Sequence, residues 1–497
     1  MNVSATVPVN DGHRKALAWI GSGPGKLLIG GQWVDARSGK SFETVDPATE
    51  AVLARIAEGE QADVDAAVAA ARKAFEAPSW SGISPYLRAR YLLNIAETVE
   101  ANADELAAIE TLDNGMPLAM SRARVGGAAE LFRYYAGWVT KIFGRTDPWD
   151  SSGFLYTLRE PMGVCGQINA WNVPLATAAI KMATALACGN TVVFKPAEQA
   201  SLSTLRLAAL IQETDLPPGV VNIVTGFGTA AGAAIANHAG IDKVAFTGST
   251  AVGKQILMSS VDNLKRVTLE LGGKSPNIIF PDADMDQAIK AAVGSFCGNS
   301  GQVCSAGTRL FVQESLCDEV TERITGIAAG YKVGSPFEAG IDMGPLISDK
   351  QMARVLSYVD AGRDEGARLA LGGGRVGSRG YFVQPTVFGG VSNDMRIARE
   401  EIFGPVLSII PFRDEDDAIF QGNDTTYGLA AGIWTRDLSR AHRVARALKA
   451  GRIWVNTYGP SGAIMTFGGY KQSGYGREQG AESIEAYTQT KSVLVKL

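Results

Sequence analysis

The fold is decided by Val267-Thr268-Leu269-Glu270-Leu271-Gly272-Gly273 and by the later loop Gly301-Gln302-Val303-Cys304-Ser305-Ala306-Gly307. Apolar residues alternate through the first segment, which predicts a half-buried strand, and its two glycines allow a sharp turn directly after Glu270. Residues 275–280 predict a further buried strand that ends at Pro281. We therefore expect an α/β fold in which an acid stands at the end of a strand and a thiol stands on a loop.

A helix is predicted between these two segments. Asp284 and Gln287 form a capping-box pattern at its start, and Gly298-Asn299 marks its end. Apolar residues at helical spacing form one face: Met285, Ile289, Val293 and Phe296. Small residues around Cys304 leave room for a substrate and for backbone N–H groups, as a nucleophile that forms an oxyanion needs. A second interpretation stays open, because an isolated cysteine is more often a small buried hydrophobic side chain.

Short apolar strands alternate with helices through residues 163–273. The predicted strands are 164–169, 191–195, 220–225, 243–247 and 267–270. The predicted helices are 174–186, 203–213, 230–238 and 252–258. This alternation is typical of a parallel, doubly wound sheet. A second α/β unit is expected after it, and residues 151–158 and 491–495 predict exposed strands, which proteins normally cover.

Composition excludes several classes of protein. The chain has 497 residues, of which 46% are hydrophobic, and this is enough for two or three domains with full cores. A net charge of -4 indicates no nucleic-acid-binding surface. The five cysteines are odd in number and lack CxxC or Cys/His clustering, so neither a disulfide framework nor a metal site is indicated. His238 and His442 are far in sequence from Cys304, which favours a carboxylate as the base.

The N-terminal segment predicts neither a signal peptide nor an anchor. Within residues 1–26 the apolar run is only 16–20, which is shorter than the core of a signal peptide. No run in the chain reaches the roughly 20 apolar residues that a membrane-spanning helix needs. We therefore expect a loosely held N-terminal tail, which includes His13, on a soluble cytoplasmic protein.

Two motifs carry a resemblance to a known family: Glu270-Leu271-Gly272-Gly273-Lys274-Ser275-Pro276 and Gly301-Gln302-Val303-Cys304. Together they resemble the paired signature of the NAD(P)-dependent aldehyde dehydrogenase superfamily, and the likeness runs from about Gly30 to the C-terminus. The resemblance implies a Rossmann-like NAD-binding domain, an α/β catalytic domain and a small β oligomerisation arm. The expected ranges are 1–148 with 162–273, then 274–475, and 149–161 with 476–497, respectively.

The resemblance also implies the catalytic residues of a hydrolytic, CoA-independent enzyme. Cys304 matches the nucleophile that forms a thiohemiacetal and then a thioester. Asn172 matches the asparagine that stabilises the oxyanion together with the Cys304 N–H, although an Asn before Val-Pro also suits a turn. Glu270 is expected to activate water, Lys181 matches a lysine implicated in proton relay, and Glu478 is a supporting residue nearby. No metal is expected.

NAD is the expected cofactor. Phe246-Thr247-Gly248-Ser249-Thr250 is the expected phosphate site, because a strand ends there, glycine opens a turn, and Ser249 faces the N–H groups of the next helix. The residues alone also fit an ordinary N-cap. Gly226-Phe227-Gly228 with Gly232 has the spacing GxGxxxG, which departs from the usual dinucleotide motif. Lys195 and Glu198 match positions that hold the adenosine ribose, and a carboxylate there repels a 2′-phosphate, so NAD is favoured over NADP.

Glu401 and Phe403, in Arg399-Glu400-Glu401-Ile402-Phe403-Gly404-Pro405, resemble the segment that holds the nicotinamide ribose and ring. A glutamate pair beside an arginine is also common in solvated charge clusters. The full set of expected cofactor contacts is Ile168, Asn169, Trp171, Lys195, Glu198, Gly228, Phe246, Gly248, Ser249, Val252, Leu271, Glu401 and Phe403.

The expected substrate is a bulky hydrophobic aldehyde, aromatic or terpenoid. The predicted pocket positions are Val173, Thr177, Ile180, Val303, Ser461 and Phe467, with Trp454 nearby. The first three and Ser461 are smaller than the side chains of family members that act on small aldehydes, which predicts a wide pocket. The sequence shows no nearby Arg or Lys that would select an anionic substrate. Thr466 stands where the family commonly has proline. The alternatives are a CoA-acylating relative and a non-catalytic structural or binding protein, and the expected assembly is a homodimer or homotetramer.

Overall fold

The computed structural model describes residues 10–497. In chain order, its strands are β1 (Leu27–Ile29), β2 (Gln32–Val34), β3 (Ser41–Val45), β4 (Val52–Ala57), β5 (Thr146–Asp147), β6 (Gly153–Pro161), β7 (Val164–Ile168), β8 (Thr191–Lys195), β9 (Val221–Ile223), β10 (Lys243–Thr247), β11 (Arg266–Glu270), β12 (Pro276–Ile279), β13 (Arg309–Gln313), β14 (Arg368–Leu371), β15 (Thr386–Gly389), β16 (Val406–Phe412), β17 (Ala430–Trp434), β18 (Arg452–Val455), β19 (Gly474–Tyr475) and β20 (Thr488–Lys496).

Its α-helices are α1 (Asp11–Gly21), α2 (Gln61–Glu76), α3 (Pro78–Ser81), α4 (Pro85–Ala101), α5 (Ala103–Asn114), α6 (Leu118–Trp138), α7 (Pro174–Ala187), α8 (Leu202–Gln212), α9 (Ala233–Asn237), α10 (Thr250–Ser259), α11 (Met285–Cys297), α12 (Cys317–Ala329), α13 (Asp349–Asp364), α14 (Arg396–Arg399), α15 (Glu415–Asn423), α16 (Leu438–Ala447) and α17 (Glu482–Ala486).

The first sheet has the strand order β19-β11-β10-β7-β8-β9-β1-β2. Strands β7 to β11 are parallel, while β1, β2 and β19 are antiparallel additions. From β9 to β11, the parallel strands stand in the order β9-β8-β7-β10-β11, so the direction of winding reverses between β7 and β10. This reversal leaves a crevice at the carboxyl ends of the strands, where doubly wound sheets bind ligands. All five strands predicted between residues 164 and 270 are present.

Both faces of this sheet are buried. Val192 and Phe194 belong to a cluster that includes Leu186, whereas Val193 between them joins a second cluster with Ile235. Since successive side chains of a strand point to opposite faces, the continuous apolar run of β8 reflects cover by helices on both sides.

The second sheet has the order β14-β15-β16-β13-β12-β17-β18 and is parallel except for β14. Helix α11 follows β12 as predicted, and Asp284 caps it by accepting a hydrogen bond from the Gln287 backbone N–H at 3.2 Å. The predicted capping box is only half formed, because the Gln287 amide donates to the Asp284 carboxylate at 3.0 Å. Because the Asp284 carboxylate is charged, it accepts hydrogen bonds more strongly than a neutral group does, and the Gln287 side chain binds it instead of the Asp284 backbone N–H.

A three-stranded antiparallel sheet forms the predicted arm. Strand β20 pairs with β6 from Thr488 opposite Pro161 to Lys496 opposite Gly153. Strand β5 also belongs to this sheet, although it lies before residue 149, where the arm was expected to begin. Strand β19 pairs with β11 of the first sheet, although it lies within the range expected for the catalytic domain, 274–475. The domain boundaries stay a prediction.

The expectation of a loosely held N-terminal tail is wrong for residues 11–21. They form α1, which is capped by the Asn10 side chain and packs on α5. Ala16 and Ile20 are buried, and the His13 ring stacks on Phe337 at a centroid distance of 4.0 Å. The apolar run that is too short for a signal peptide lies in an amphipathic helix, whose buried stripe is Gly12, His13, Ala16 and Ile20. Residues 1–9 lie outside the described part.

Candidate active site

The expected cofactor residues lie along the carboxyl edge of the first sheet. Ile168 at the end of β7 stands in register with Lys195 of β8 and with Phe246 of β10. Asn169 follows directly, donates its backbone N–H to the Lys195 carbonyl at 3.0 Å, and donates its side-chain amide to the Pro174 carbonyl at 2.9 Å. This edge is the crevice created by the reversal of strand order between β7 and β10.

The turn after β10 has the shape of a phosphate-binding turn. A Cβ on Gly248 would lie 2.4 Å from Phe246 Cζ, so only glycine fits. Ser249 accepts a hydrogen bond from the Val252 N–H at 3.4 Å and caps α10, so the N-cap interpretation is correct and compatible with anion binding. The buried side-chain oxygens of Thr247 and Asn169 have no hydrogen-bond partner among residues 10–497. Unpaired polar atoms beside a helix N-terminus fit a polar, anionic cofactor.

Lys195 and Glu198 are brought together as expected. Lys195 Nζ lies 3.0 Å from Glu198 Oε2 and 3.0 Å from the Pro196 carbonyl oxygen. Burial lowers the pKa of Lys195, and the Glu198 charge opposes this shift. Gly228 begins a short π-helical turn, Gly228–Gly232, and a Cβ on Gly232 would contact Lys195 Cδ at 3.5 Å. The glycine-rich turn thus lies beside the expected ribose site.

Glu401 stands where the first sheet meets the second. Its Oε1 accepts a hydrogen bond from the Gly273 N–H at 3.0 Å, and burial raises its pKa to about 7. Phe403 has a left-handed backbone (φ 61°), and its ring meets Trp171 edge to face at 5.2 Å. Leu271 packs against Gly253 of α10, where a Cβ would lie 2.6 Å from Leu271 Cδ2. The expected nicotinamide residues therefore lie close together.

The Cys304 loop is held tightly on several sides. Gly301 has φ 71°, and a Cβ there would lie 2.1 Å from the Gly404 carbonyl oxygen. A Cβ on Gly273 would lie 2.5 Å from the Cys304 carbonyl oxygen, and the Tyr458 hydroxyl donates to the Ser305 carbonyl at 2.7 Å. These contacts fix the backbone that carries the thiol.

The Cys304 thiol is only partly exposed. Burial raises its pKa to about 12, and the negative charges of Glu401 and Glu270 contribute to the shift. The resting thiol is therefore protonated at neutral pH, so it requires a base or a nearby positive charge to become a nucleophile.

Asn172 is joined to the thiol loop by side-chain amides. Its Nδ2 donates to the Gln302 carbonyl at 2.9 Å, and Asn299 Nδ2 donates to the Asn172 carbonyl at 2.9 Å. Asn114 at the end of α5 donates to the Trp171 carbonyl at 2.7 Å. An amide nitrogen carries two N–H groups, so Asn172 keeps a second donor beyond its bond to Gln302.

Glu270 is buried at the end of β11, with 3% of its surface exposed. Neither carboxylate oxygen has a hydrogen-bond partner among residues 10–497. Burial raises its pKa well above the usual value, the Glu478 charge raises it further, and Lys181, Arg477 and Arg452 oppose the shift. A buried carboxyl group with free oxygens and a raised pKa suits general base catalysis near neutral pH.

Lys181 and Glu478 form a buried ion pair through Lys181 Nζ and Glu478 Oε1. The Glu478 backbone also pairs with Phe467, with N–H to carbonyl distances of 2.7 and 2.8 Å. Sequence reasoning missed a second buried lysine, Lys243 at the start of β10, whose Nζ donates to Thr268 Oγ1 at 3.1 Å. Burial lowers the pKa of Lys243 to about 8. The signal for it that the sequence offered was a charged residue at the start of a predicted buried strand.

The expected pocket residues lie on three elements. Val173, Thr177 and Ile180 are partly exposed along the start and one face of α7. Val303 lines a small cleft together with Glu401 and Phe403, so it lies on the cofactor side. Ser461 is exposed and Phe467 is partly exposed. Trp454 is buried and donates to the Pro460 carbonyl at 2.9 Å.

That no nearby Arg or Lys selects an anionic substrate stays a prediction, although one arginine does lie beside Phe467 of this pocket. The Arg452 guanidinium carbon lies 4.7 Å from the centre of the Phe467 ring, and its charge acts on both Cys304 and Glu270. The sequence hides this contact because Arg452 lies on β18, far along the chain from the thiol, and the fold brings them together.

Neither a metal-binding cluster nor a membrane-spanning helix is present in the part of the chain that the structure describes. No group of three or more His, Cys, Asp or Glu side chains there is arranged to hold a metal ion. No helix within residues 10–497 has the length and hydropathy to cross a membrane.

Comparisons with known proteins give a consistent result. The model of the aldehyde dehydrogenase family matches residues 33–493. The mitochondrial aldehyde dehydrogenase family 2 member B4 of Arabidopsis thaliana is 51% identical over 474 residues, which cover 95% of this chain and 88% of the relative. The mitochondrial aldehyde dehydrogenase of Homo sapiens is 50% identical, with coverage of 95% and 92%. A solved NAD+ complex of aldehyde dehydrogenase from Bacillus cereus superposes with a TM-score of 0.96 at 48% identity, covering 97% of this chain and 98% of that chain.

Proposed function

The chain belongs to the aldehyde dehydrogenase family, and we propose that it oxidises a bulky hydrophobic aldehyde to a carboxylic acid with NAD as the cofactor. The reaction proceeds through a covalent bond to Cys304. The observation that carries the proposal is the Glu270 carboxylate, which is buried at the strand end, has no hydrogen-bond partner among the described residues and interacts electrostatically with Cys304. Burial of a carboxylate without a hydrogen-bond partner lowers the stability of the fold, so its presence here indicates a function.

Residues of this chain at the carboxyl edge of the first sheet would hold NAD. Ser249 and the N-terminus of α10 hold the pyrophosphate. Lys195 and Glu198 hold the adenosine ribose, and Glu401 holds the nicotinamide ribose near Phe403. When bound, NAD supplies the acceptor for the hydride that leaves the aldehyde carbon. The Bacillus cereus relative, which was solved as an NAD+ complex, supports this cofactor.

Acylation uses the thiol and the amide next to it. Cys304 loses its proton to a solvent water molecule, and Sγ forms a bond to the aldehyde carbon. The oxyanion that results accepts hydrogen bonds from the Cys304 N–H and from the free N–H of the Asn172 amide, and one such donor is typically worth about 3 kcal/mol. As the oxyanion collapses, the hydride leaves and a thioester remains on Cys304.

Deacylation uses Glu270. The carboxylate removes a proton from water, the water oxygen bonds to the thioester carbon, and the thiolate of Cys304 leaves with the electron pair of the C–S bond. The product is the carboxylic acid. The buried Lys181–Glu478 pair acts electrostatically on Glu270, and we expect it to pass the proton onward.

The size of the substrate follows from side chains on α7. Val173, Thr177 and Ile180 are of small or medium size and are partly exposed on one face. A small aldehyde would leave apolar surface uncovered and lose about 0.8 kcal/mol for each methylene that is not buried. An aromatic or terpenoid aldehyde is therefore favoured over acetaldehyde.

Two alternatives are weaker. A CoA-acylating relative would release the thioester to CoA, and such enzymes commonly lack the equivalent of Glu270. A non-catalytic relative would not need Cys304, Glu270 and Asn172 together. Activity measured as NADH absorbance, with acetaldehyde, benzaldehyde and a terpenoid aldehyde in the presence and absence of CoA, separates these alternatives. NADH formation that requires CoA, or none with any aldehyde, would contradict the proposal.

The arm supports a proposal about assembly. Strand β20 is an outer strand of its sheet, and it carries exposed Leu494 and Val495. An exposed strand edge with apolar side chains is usually covered. We expect a homodimer or homotetramer in the cytoplasm, which light scattering of the purified protein and fractionation of the source cells would test.

A further inference from the structure

Residues 465–468, here named the strap, lie against the Glu270 carboxylate. A Cβ on Gly468 would stand 3.1 Å from Glu270 Oε1, so the strap backbone covers the base directly. At Phe467 the strap is fixed by its two backbone hydrogen bonds to Glu478. Within residues 10–497 the Thr466 N–H donates no backbone hydrogen bond outside regular elements. The Met465 N–H donates to the Gly462 carbonyl at 3.0 Å, so Thr466 is the strap residue that depends on side chains for its position.

Arg452 supplies most of these contacts, and it is 6% exposed. Its Nη2 donates to the Met465 carbonyl at 2.5 Å and to the Thr466 carbonyl at 3.0 Å, and its Nε donates to the Thr466 carbonyl at 3.3 Å. The guanidinium also stacks on the Phe467 ring at 4.7 Å. One planar group thus binds two successive carbonyls and the aromatic ring that follows them.

Two side-chain acceptors, on Gln479 and Glu482, hold Arg452 and Thr466 in place. Gln479 Oε1 accepts from Arg452 Nη2 at 3.1 Å, and the Thr466 hydroxyl donates to the Glu482 carboxylate. A proline at residue 466 would fix the backbone by its ring, whereas here polar contacts do so. Because a guanidinium offers donors in a rigid fork, a lysine at 452 could not reproduce the same set of contacts.

We propose that Arg452 is a positioning residue that sets aldehyde selectivity, by holding the strap so that the Phe467 ring forms a fixed wall of the aldehyde pocket above Glu270. The proposal rests on the proposed function. An aromatic aldehyde would pack on the Phe467 ring, while acetaldehyde is too small to gain much from it. Loosening the strap therefore harms the aromatic substrate more.

The test compares kcat/KM for benzaldehyde and for acetaldehyde in wild type and Arg452→Met. We expect the benzaldehyde to acetaldehyde ratio to fall about tenfold, mostly through KM for benzaldehyde, with KM for NAD unchanged. Loss of the positive charge near Cys304 affects both aldehydes alike, so it cancels in the ratio. In Arg452→Met with Thr466→Pro, the proline should restore the ratio at least in part.

Arg206→Met is the matched control. Arg206 is another largely buried arginine, paired with Glu105 at 2.9 and 3.1 Å on α8. Its loss should lower Tm and leave the ratio unchanged. An unchanged ratio in Arg452→Met, with active sites counted by the NADH burst, would overturn the proposal, and if that variant does not fold, an unchanged ratio in Arg452→Lys would do so. A wild type that oxidises neither of these two aldehydes nor a terpenoid aldehyde would overturn the proposed function as well.

Discussion

Glu270 is a buried carboxyl group and Glu401 is a half-buried one, and the charges of both raise the pKa of the Cys304 thiol. Their surroundings differ. Glu401 accepts a hydrogen bond from the Gly273 N–H at 3.0 Å, whereas neither oxygen of Glu270 has a partner among residues 10–497. A carboxylate tied to the backbone keeps its position and suits the binding of a ribose. A carboxylate with free oxygens can accept a proton without breaking a bond, which suits catalysis.

The largest expected effect comes from Cys304→Ala, which removes the nucleophile that both carboxyl groups surround. Dehydrogenase activity should fall to background while NAD binding, measured by titration calorimetry, persists. Cys297→Ala is the control, because Cys297 is buried at the end of α11 and should be dispensable for activity. The opposite pattern for the two variants would remove Cys304 from the mechanism.

Glu270→Gln should lower kcat by about 100-fold to 10,000-fold, the usual contribution of a general base. The block is expected in deacylation, so rapid mixing should still give at least a partial burst of NADH. Mass spectrometry should then detect the thioester on Cys304. A variant with neither burst nor thioester would assign Glu270 to the generation of the thiolate instead.

The pH dependence separates the two carboxyl groups. The base must be ionised, so kcat falls about tenfold per pH unit as pH drops below the pKa of Glu270. Since burial raises this pKa well above 4.5, the fall begins well above that pH. Glu270→Gln should abolish this dependence and Glu401→Gln should keep it in kcat. Loss of the acidic limb in Glu401→Gln alone would reverse the assigned roles.

The smallest expected effect concerns Glu198, which acts on the cofactor far from the thiol. Wild type should prefer NAD in kcat/KM, and Glu198→Gln should reduce the NAD to NADP ratio by about tenfold, because repulsion of the 2′-phosphate is lost. Steady-state kinetics with both cofactors measure this ratio. Equal use of NADP by wild type would disprove the role given to Glu198.

Local patterns predicted the fold well. The superfamily, the α/β architecture and the enzyme class are confirmed by the family match and by the likeness to the solved structure. The strand and turn at Glu270 could be predicted because alternation and two glycines are local signals. The roles of Cys304, Glu270 and Asn172, and those of the cofactor and pocket residues, stay predictions with a consistent geometry.

Contacts between distant segments were not predictable. Helix α1 was missed because its partner, α5, lies far along the chain, and a short apolar run alone resembles a tail. Arg452 was missed because the sequence does not indicate that β18 begins beside the strap. Lys243 begins a strand, where a lysine is usually solvated, and only the fold buries it.

The last three strands of the described chain lie in three different sheets. Strand β18 is an edge of the second sheet, β19 is an edge of the first, and β20 is an edge of the arm. During synthesis, β17, β11 and β6 therefore keep an open hydrogen-bonding edge until residues 452–496 have left the ribosome. The base Glu270 lies on one of these open strands. The nascent protein thus gains its finished active site only after residues 452–496 have been synthesised, and until then it is exposed to aggregation along three edges at once.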